Sequence, residues 1–230
     1  MLQRVDLRER VTNQRGRIGE CFFSIQGEGI TAGVPAVFIR LQGCSVGCTW
    51  CDTKYSWDPS GGREVTLDGL VEEASALPCR RVVITGGEPL ESPLFPSLVG
   101  ALKDRGFTIE VETSGTLTPT VEVDQWNVSV KLSESGVPDT KRINPQAIRV
   151  FLRLRAWWKF VVLGRSDVLE VLHLAERFTL PRERILLMPE GVHREDVLDR
   201  SLWVVDECKR YGYRYSPRLH ILLWGARRGV

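Results

Sequence analysis

Three of the six cysteines, Cys44, Cys48 and Cys51, lie close together with the spacing C-x3-C-x2-C. Three thiolates on one short segment can hold three irons of a [4Fe–4S] cluster, because such clusters are normally bound by cysteine sulfur. A fourth cysteine in the segment would complete the cluster, and its absence leaves one iron open to a small molecule. The spacing therefore predicts a redox cluster with one vacant coordination position.

A structural zinc site explains these cysteines less well. Such sites take four ligands, usually from two separated pairs. The other possible ligands are isolated in the sequence: Cys21, Cys79, Cys208, His173, His193 and His220. A disulfide framework is typical of smaller secreted chains. We therefore favour the iron–sulfur cluster over zinc or disulfides.

Composition predicts an ordinary soluble protein. The chain has 230 residues, of which 43% are hydrophobic and 26% are charged, and its net charge of +2 is too small to indicate nucleic-acid or membrane binding. The arginine-rich start lacks the apolar core of a signal peptide. We expect an N-terminal arm of unknown role at residues 1–17 and a single catalytic domain at residues 18–230. Unpaired cysteines and an oxygen-sensitive cluster favour a reducing cytoplasm.

Strand-like and helix-like patterns alternate along the chain. Strands are predicted at residues 37–42, 81–85, 107–113, 126–131, 158–162, 185–188 and 219–223. Helices are predicted at residues 66–77, 94–105, 166–177 and 195–211. This alternation favours an α/β fold with a parallel sheet, in which ligands bind at the carboxyl ends of the strands. The cysteine segment and the glycine-rich motifs all follow predicted strands.

Several short motifs together resemble the 7-carboxy-7-deazaguanine synthases (the QueE family), which belong to the radical S-adenosylmethionine (SAM) superfamily. They are Ile-Gln-Gly-Glu-Gly at residues 25–29, Phe-Ile-Arg at 38–40, Gly-Cys at 43–44, Cys-Asp-Thr at 51–53 and Thr-Gly-Gly-Glu-Pro at 85–89. The Gly-Gly-Glu-Pro motif alone indicates only the superfamily. The other motifs point to the family, and the resemblance runs from about residue 18 to residue 230.

The resemblance implies a carbon–nitrogen lyase that converts 6-carboxy-5,6,7,8-tetrahydropterin to 7-carboxy-7-deazaguanine. The reaction contracts a ring and releases ammonia, on the route to queuosine and other 7-deazapurines. The family further implies a modified partial TIM-type (βα)6 barrel, a homodimer, catalytic SAM and dependence on Mg²⁺. An electron donor such as flavodoxin or ferredoxin is also implied, and no nucleic-acid or membrane partner is expected.

By resemblance, Cys44, Cys48 and Cys51 bind the cluster that generates the radical, and Thr53 contacts Mg²⁺. The corresponding SAM contacts are Trp50, Asp52, Gly87, Glu88, Ser129, Lys131, Met188, Pro189 and Glu190. Val130 stands where the family pattern Ser-Pro-Lys has proline. Two alternatives need no ligand: Trp50 could be a core residue, and Thr53 could cap the turn that follows Cys51.

The substrate contacts implied by the resemblance are Ile25, Gln26, Gly27, Glu28, Arg40, Thr85 and Val230, with His220 as a further candidate. The Glu28 carboxylate can accept hydrogen bonds from the amino and ring N–H groups of a pterin. The forked donors of Arg40 suit the substrate carboxylate. Alternatively, Arg40 could pair with Glu20 or Glu28, and His220 could be a surface residue of the last strand.

Two other functions are compatible with parts of the sequence. One is a radical SAM activase that makes a glycyl radical on a partner protein. The other is a zinc-stabilised binding module without catalysis. The Gln-Gly-Glu-Gly loop, and the lack of an additional ferredoxin-like cysteine cluster in the sequence, favour an enzyme acting on a small molecule.

Overall fold

The computed structural model describes residues 14–230. Its strands are β1 (Arg15–Ile25), β2 (Pro35–Leu41), β3 (Arg63–Thr66), β4 (Arg81–Gly86), β5 (Thr108–Thr113), β6 (Gln125–Val128), β7 (Trp157–Val162), β8 (Ile185–Pro189) and β9 (Arg214–Tyr215). The helices are α1 (Leu67–Ser75), α2 (Phe95–Asp104), α3 (Asp139–Arg142), α4 (Pro145–Arg153), α5 (Arg165–Phe178), α6 (Arg194–Tyr211) and α7 (Leu219–Trp224). Short 3₁₀ turns lie at Gly29–Thr31, Lys54–Ser56, Pro89–Glu91, Ser133–Ser135 and Arg182–Arg184.

Nine strands form one sheet in the order β3-β1-β2-β4-β5-β6-β7-β8-β9. Neighbours from β2 to β9 run parallel, whereas β1 is antiparallel to both β2 and β3. Helices follow most of the parallel strands, as βα connections require. The predicted α/β fold with a parallel sheet is therefore confirmed, and the antiparallel strands at one edge are an addition to it.

Side chains alternate between the two faces of the sheet, as strand geometry requires. On β2, Ile39 is fully buried in the hydrophobic core, whereas the neighbouring Arg40 lines an interior cavity. The same alternation on β7 buries Trp158 and Phe160 in the core and turns Lys159 towards the cavity. Each large apolar side chain buried this way contributes about 1.5–3 kcal/mol. The apolar face therefore stabilises the sheet while the other face carries polar groups.

Local signals set the helix boundaries. The Oγ1 atom of Thr66 accepts a hydrogen bond from the N–H of Gly69, so Thr66 is the N-cap of α1 as predicted. Asn144 caps α4 in the same way, and Pro145 occupies the first helical position, where its missing N–H is tolerated. Helix α4 was not among the predicted elements. Within residues 14–230, no helix is long and apolar enough to cross a membrane.

Three sequence-based boundaries differ from the structure. Residues 219–223 were predicted as a strand but lie in α7, because a short apolar run cannot by itself distinguish strand from helix. Strand β6 ends at Val128 rather than at residue 131. The predicted arm boundary at residue 17 falls inside β1, where Arg15 pairs with Thr66. Residues 1–13 of that arm lie outside the described residues.

Candidate active site

A cavity of about 310 Å³ opens at the carboxyl ends of the parallel strands. Most of the predicted site residues line it: Ile25, Gln26, Gly27, Glu28, Arg40, Cys44, Cys48, Trp50, Cys51, Asp52, Thr53, Thr85, Gly87, Ser129, Lys131, Met188, His220 and Val230. Residues from widely separated parts of the sequence therefore meet at one place. This position is the one expected for a ligand site in a parallel α/β fold.

Three predicted SAM contacts, Glu88, Pro189 and Glu190, are not among the residues that line the cavity, and their role towards SAM stays a prediction. Glu88 is 1% exposed, and its carboxylate accepts hydrogen bonds from Thr113 Oγ1 at 2.6 Å and from the N–H of Ser114 at 2.7 Å. These bonds use the carboxylate to fasten the end of β5.

The other two also have structural roles. Pro189 ends β8, and the Glu190 carboxylate accepts a hydrogen bond from Nη1 of Arg200 at 2.5 Å. The carboxylates of Glu88 and Glu190 are therefore both engaged in hydrogen bonds within the protein.

The loop after β2 carries the three cysteines, all as free thiols. Gly43 and Gly47 have φ values of +103° and +80°, a left-handed conformation that favours glycine. The loop is anchored where the N–H of Cys44 donates to the carbonyl of Trp57 at 3.0 Å. Cys48 is buried, and Cys44 and Cys51 pack beside it. The loop conformation therefore holds the three sulfur atoms in one region of the cavity wall.

This donor set fits a [4Fe–4S] cluster. Burial raises the pKa of Cys44 to about 11. Burial also raises the pKa of Cys48, despite the opposing effect of Lys131. Iron binding would therefore have to displace the thiol protons. Among the described residues, no group of three or more Cys, His, Asp or Glu side chains is arranged to hold a single metal ion. Three thiolates on one loop are the donors that a [4Fe–4S] cluster takes.

The predicted SAM side of the cavity is built from closely packed backbone. A Cβ atom on Gly87 would lie 2.0 Å from the carbonyl oxygen of Gly43, so only glycine fits there. Ser129 and Lys131 face the cavity, and Val130 between them is buried. Valine in place of the proline of the family pattern Ser-Pro-Lys therefore leaves the two polar side chains facing the cavity. The Lys131 ammonium is 3.0 Å from Ser129 Oγ and 5.6 Å from the centre of the Trp50 ring. Trp50 is therefore a wall of the cavity rather than a core residue.

Beneath the cavity, Lys159 connects two acidic residues. Its Nζ atom lies 2.5 Å from Glu28 Oε2 and 2.7 Å from Glu112 Oε2. Burial alone would raise the pKa of Glu28, but Lys159 and Arg218 outweigh burial and lower that pKa. Burial raises the pKa of Glu112 despite its contact with Lys159. Burial would lower the pKa of Lys159, yet the two carboxylates raise it. The ionised Glu28 is thus ready to accept hydrogen bonds.

The side-chain amide of Gln26 is hydrogen-bonded within the protein. Its Nε2 donates to Glu110 at 2.8 Å, and its Oε1 accepts from the N–H of Glu28 at 3.2 Å. Glu110 is fully buried and also accepts hydrogen bonds from Thr31 and Asn127. The amide of Gln26 is therefore engaged within the protein. It fixes the loop that presents Glu28 to the cavity.

Arg40 pairs with an acidic neighbour and also lines the cavity. Its Nε donates to Glu20 at 2.7 Å, which is the alternative pairing anticipated from the sequence. The hydroxyl of Tyr55 donates to the same carboxylate at 2.6 Å. Only Nε of Arg40 is hydrogen-bonded within the described part of the chain, and Arg40 lines the cavity. Its terminal N–H groups thus remain available for a ligand carboxylate.

The Thr53 hydroxyl faces the cavity and makes no capping hydrogen bond to the turn that follows it. It lies 3.6 Å from Cys51 Sγ, within hydrogen-bond distance for sulfur. The main-chain carbonyl of Thr53 instead fixes the turn by accepting from Ser56 Oγ at 2.7 Å. The capping alternative is therefore wrong for the side chain. A single hydroxyl suits Mg²⁺, which keeps several water ligands in most protein sites.

His220 lies in α7 and faces the cavity, so it is not a surface residue of a last strand. Its Nε2 is 3.9 Å from Glu28 Oε1, and its ring packs directly against Gly27. Burial lowers the pKa of His220, although Glu28 opposes that shift. The imidazole is therefore neutral near pH 7. Val230 also reaches the cavity wall, as expected.

The polar residues of the cavity wall that sequence reasoning missed include Tyr55, Glu112, Lys159 and Arg218. Two of them could have been recognised from the sequence. Glu112 and Lys159 are charged residues inside otherwise apolar strands, at positions that alternate with core residues. Arg218 had no such signal, because its importance comes only from how the chain folds back.

Comparisons with known proteins agree with this geometry. Residues 38–204 match the radical SAM superfamily model. The chain is 42% identical to the 7-carboxy-7-deazaguanine synthase of Pyrobaculum aerophilum, covering 94% of this chain and 97% of the relative. It is 35% identical to that of Hyperthermus butylicus, covering 90% and 92%.

A solved structure, QueE from Escherichia coli, superposes with a TM-score of 0.74 at 29% identity over 92% of this chain and 98% of that one. Streptococcus suis SuiB shares only the fold, with a TM-score of 0.55 at 11% identity over 76% of this chain and 48% of SuiB. The expected partial barrel of the radical SAM type is thereby confirmed. The chain belongs to the 7-carboxy-7-deazaguanine synthase family of the radical SAM superfamily.

Proposed function

We propose that this protein converts 6-carboxy-5,6,7,8-tetrahydropterin to 7-carboxy-7-deazaguanine, with ring contraction and loss of ammonia, in 7-deazapurine biosynthesis. The observation that carries the proposal is the shared cavity. Glu28 and Arg40, which suit the two polar ends of a carboxypterin, line the same cavity as Cys44, Cys48 and Cys51. Recognition groups and radical-generating groups therefore face one small molecule.

The three cysteines would hold the [4Fe–4S] cluster, with SAM beside Gly87, Ser129 and Lys131. Together, the bound cluster and SAM supply a 5′-deoxyadenosyl radical for hydrogen abstraction. The protein's own part is to orient the ligands and exclude water. Trp50 and the buried strand ends around Gly87 form the walls that do so.

Glu28 would accept hydrogen bonds from the amino and ring N–H groups of the pterin, since a carboxylate can accept several at once. Lys159 keeps Glu28 ionised for this task. Arg40 would bind the substrate carboxylate through its terminal N–H groups. Backbone groups of Ile25 and Gly27, with Thr85 and Val230, would complete the pocket.

Mg²⁺ bound at Thr53 would neutralise part of the substrate's charge and orient its carboxylate. We also propose a homodimer, reduction by flavodoxin or ferredoxin, and a cytoplasmic location. These four features follow from the family resemblance. The observation that supports the first of them is that the Thr53 hydroxyl faces the cavity and makes no capping hydrogen bond.

The rival functions fit the cavity less well. An activase must admit a segment of a partner protein, whereas residues 225–230 wrap this cavity and leave about 310 Å³. That volume suits a small molecule. A zinc module would need four ligands at one point, and the described residues offer no such group.

Anaerobic reconstitution tests the proposal. The purified protein should contain iron and sulfide, and with SAM, Mg²⁺ and a reductant it should yield 7-carboxy-7-deazaguanine by mass spectrometry. SAM cleavage without pterin turnover would favour the activase. Zinc without iron or sulfide would favour the binding module.

A further inference from the structure

Residues 216–220, here called the tail segment, hold the loop at residues 25–29, here called the substrate loop. Ser216 Oγ accepts a hydrogen bond from the N–H of Gly29 at 2.8 Å. The N–H of Leu219 donates to the carbonyl of Gly27, also at 2.8 Å. The ring of His220 packs on Gly27. The substrate loop is therefore assembled against residues almost 200 positions later in the chain.

Arg218, in the middle of the tail segment, is 5% exposed and contacts three separate elements. Its Nε lies 3.4 Å from Glu28 Oε1 in the substrate loop. Its Nη2 donates to Asp52, the residue that follows the cluster ligand Cys51. Its Nη1 donates to the carbonyl of Gly191, which follows β8. One guanidinium thus joins the substrate loop to the cysteine-bearing loop at residues 44–53, here called the cluster loop.

The charges at this junction are unevenly satisfied. Asp52 receives a direct hydrogen bond from Arg218, whereas Nε of Arg218 is buried and has no hydrogen-bond acceptor within the described residues. Glu28 and Asp52 therefore share the Arg218 guanidinium, and its contact with Glu28, which also pairs with Lys159, is the looser of the two. A ligand that donates hydrogen bonds to Glu28 would weaken the attraction of Glu28 for Arg218. Arg218 would then interact more strongly with Asp52.

We propose that Arg218 is a positioning residue that transmits occupancy of Glu28 to the cluster loop through Asp52. This inference rests on the proposed function, because it takes Glu28 as a pterin contact. The consequence is that the cluster loop becomes more ordered when the substrate is bound. Lysine cannot replace arginine here, since a single ammonium cannot match the three directions of the guanidinium.

Hydrogen–deuterium exchange of the anaerobic holoenzyme tests the proposal without relying on turnover. Adding carboxytetrahydropterin to the wild type should slow amide exchange in residues 44–53. Arg218→Gln should abolish this response and weaken pterin binding, measured by calorimetry. Asp52→Asn should abolish the response while pterin binding is retained, because Glu28 keeps its ion pair with Lys159. Arg214→Gln makes the same chemical change at an exposed arginine and should behave like the wild type.

Turnover gives a second measurement. Arg218→Gln should form more 5′-deoxyadenosine per 7-carboxy-7-deazaguanine and lose about 10²-fold in kcat/KM, as expected when a reacting group is misplaced. Arg218→Lys should give an intermediate loss. A wild-type loop response and product ratio in Arg218→Gln would overturn the proposal, and so would a wild-type loop that does not respond to pterin.

If Arg218→Gln fails to fold, Asp52→Asn decides the question alone. A retained loop response in that variant overturns the proposal, and a lost response with pterin binding retained supports it. The wild-type protein separates this inference from the proposed function. If the wild type neither binds nor converts the pterin, the function itself is wrong. If it does both, the variants test only Arg218.

Discussion

The Nζ atom of Lys159 lies 2.5 Å from Oε2 of Glu28, although the two residues are 131 positions apart in the sequence. Lys159 comes from the cavity-facing side of β7, and Glu28 from the loop after β1. The same ammonium is 2.7 Å from Glu112 on β5. A single buried cation thus holds two carboxylates under the proposed pterin site, and it fixes the ionisation of the group that would recognise the substrate.

Replacing Lys159 with methionine should destabilise the protein and abolish pterin binding. Removing one partner of a buried ion pair costs about 3–5 kcal/mol, because the remaining charges lose their compensation. Urea unfolding would measure the change in stability, and calorimetry the loss of binding. Lys209→Met removes an exposed lysine from a surface pair and should leave both unchanged. Normal pterin affinity in Lys159→Met would contradict the role given to Lys159.

His220 should make stability depend on pH just below neutrality. Burial holds its pKa below the ordinary value of 6.5 in the folded protein. The unfolded chain then binds more protons in the window just below pH 6.5, so the free energy of unfolding rises with pH across that window.

We therefore expect the wild type to lose more stability than His220→Gln when the pH falls from about 7 to about 5. Denaturant titrations at several pH values would measure this difference. Parallel curves for the two proteins would show that the folded and unfolded pKa values of His220 are the same.

Thr53→Ala should raise the Mg²⁺ concentration needed for turnover while leaving SAM binding intact. The loss should be at least the roughly tenfold effect typical of removing a metal's supporting group. Thr53→Ser keeps the hydroxyl and serves as the matched control. An unchanged magnesium response in Thr53→Ala would remove Thr53 from the metal site.

Gly27→Ala and Gly100→Ala should change stability in opposite directions. A Cβ atom at Gly27 would lie 2.1 Å from His220 Nδ1, so the substrate loop or α7 must move, at about 1–3 kcal/mol. A Cβ atom at Gly100, inside α2, meets nothing within 4 Å, and alanine there should stabilise the helix by about 0.5–1 kcal/mol. Thermal unfolding would compare the two variants. A stable, fully active Gly27→Ala protein would argue against the close packing of His220.

Arg40→Lys should raise the KM for the pterin about tenfold or more, because a charge-assisted hydrogen bond contributes about 1.5–3 kcal/mol. Arginine can hold Glu20 through Nε and still offer its terminal N–H groups to the substrate carboxylate. A single lysine ammonium cannot bind both carboxylates with the same geometry. Steady-state kinetics would measure the effect. Unaltered kinetics would place the substrate carboxylate elsewhere.

Much of the site could be predicted from residues that are close in sequence. The cysteine spacing, the glycines after β2 and β4 and the N-cap at Thr66 are local features, and each has the role expected from its chemistry. The prediction of secondary structure failed where a local pattern is compatible with both a strand and a helix. The apolar run in α7 fits a strand or a helix, and only its packing against the substrate loop selects the helix.

The sequence by itself determined the class of fold and the family, because these depend on short spacings and on periodicity. The tertiary structure alone decided which charges face each other. Lys159 pairs with Glu28, and Arg218 joins Glu28 to Asp52, because strand order and the returning tail segment bring distant residues together. It also decided that the Glu88 carboxylate is hydrogen-bonded to the end of β5, since these partners are defined only once the sheet has formed.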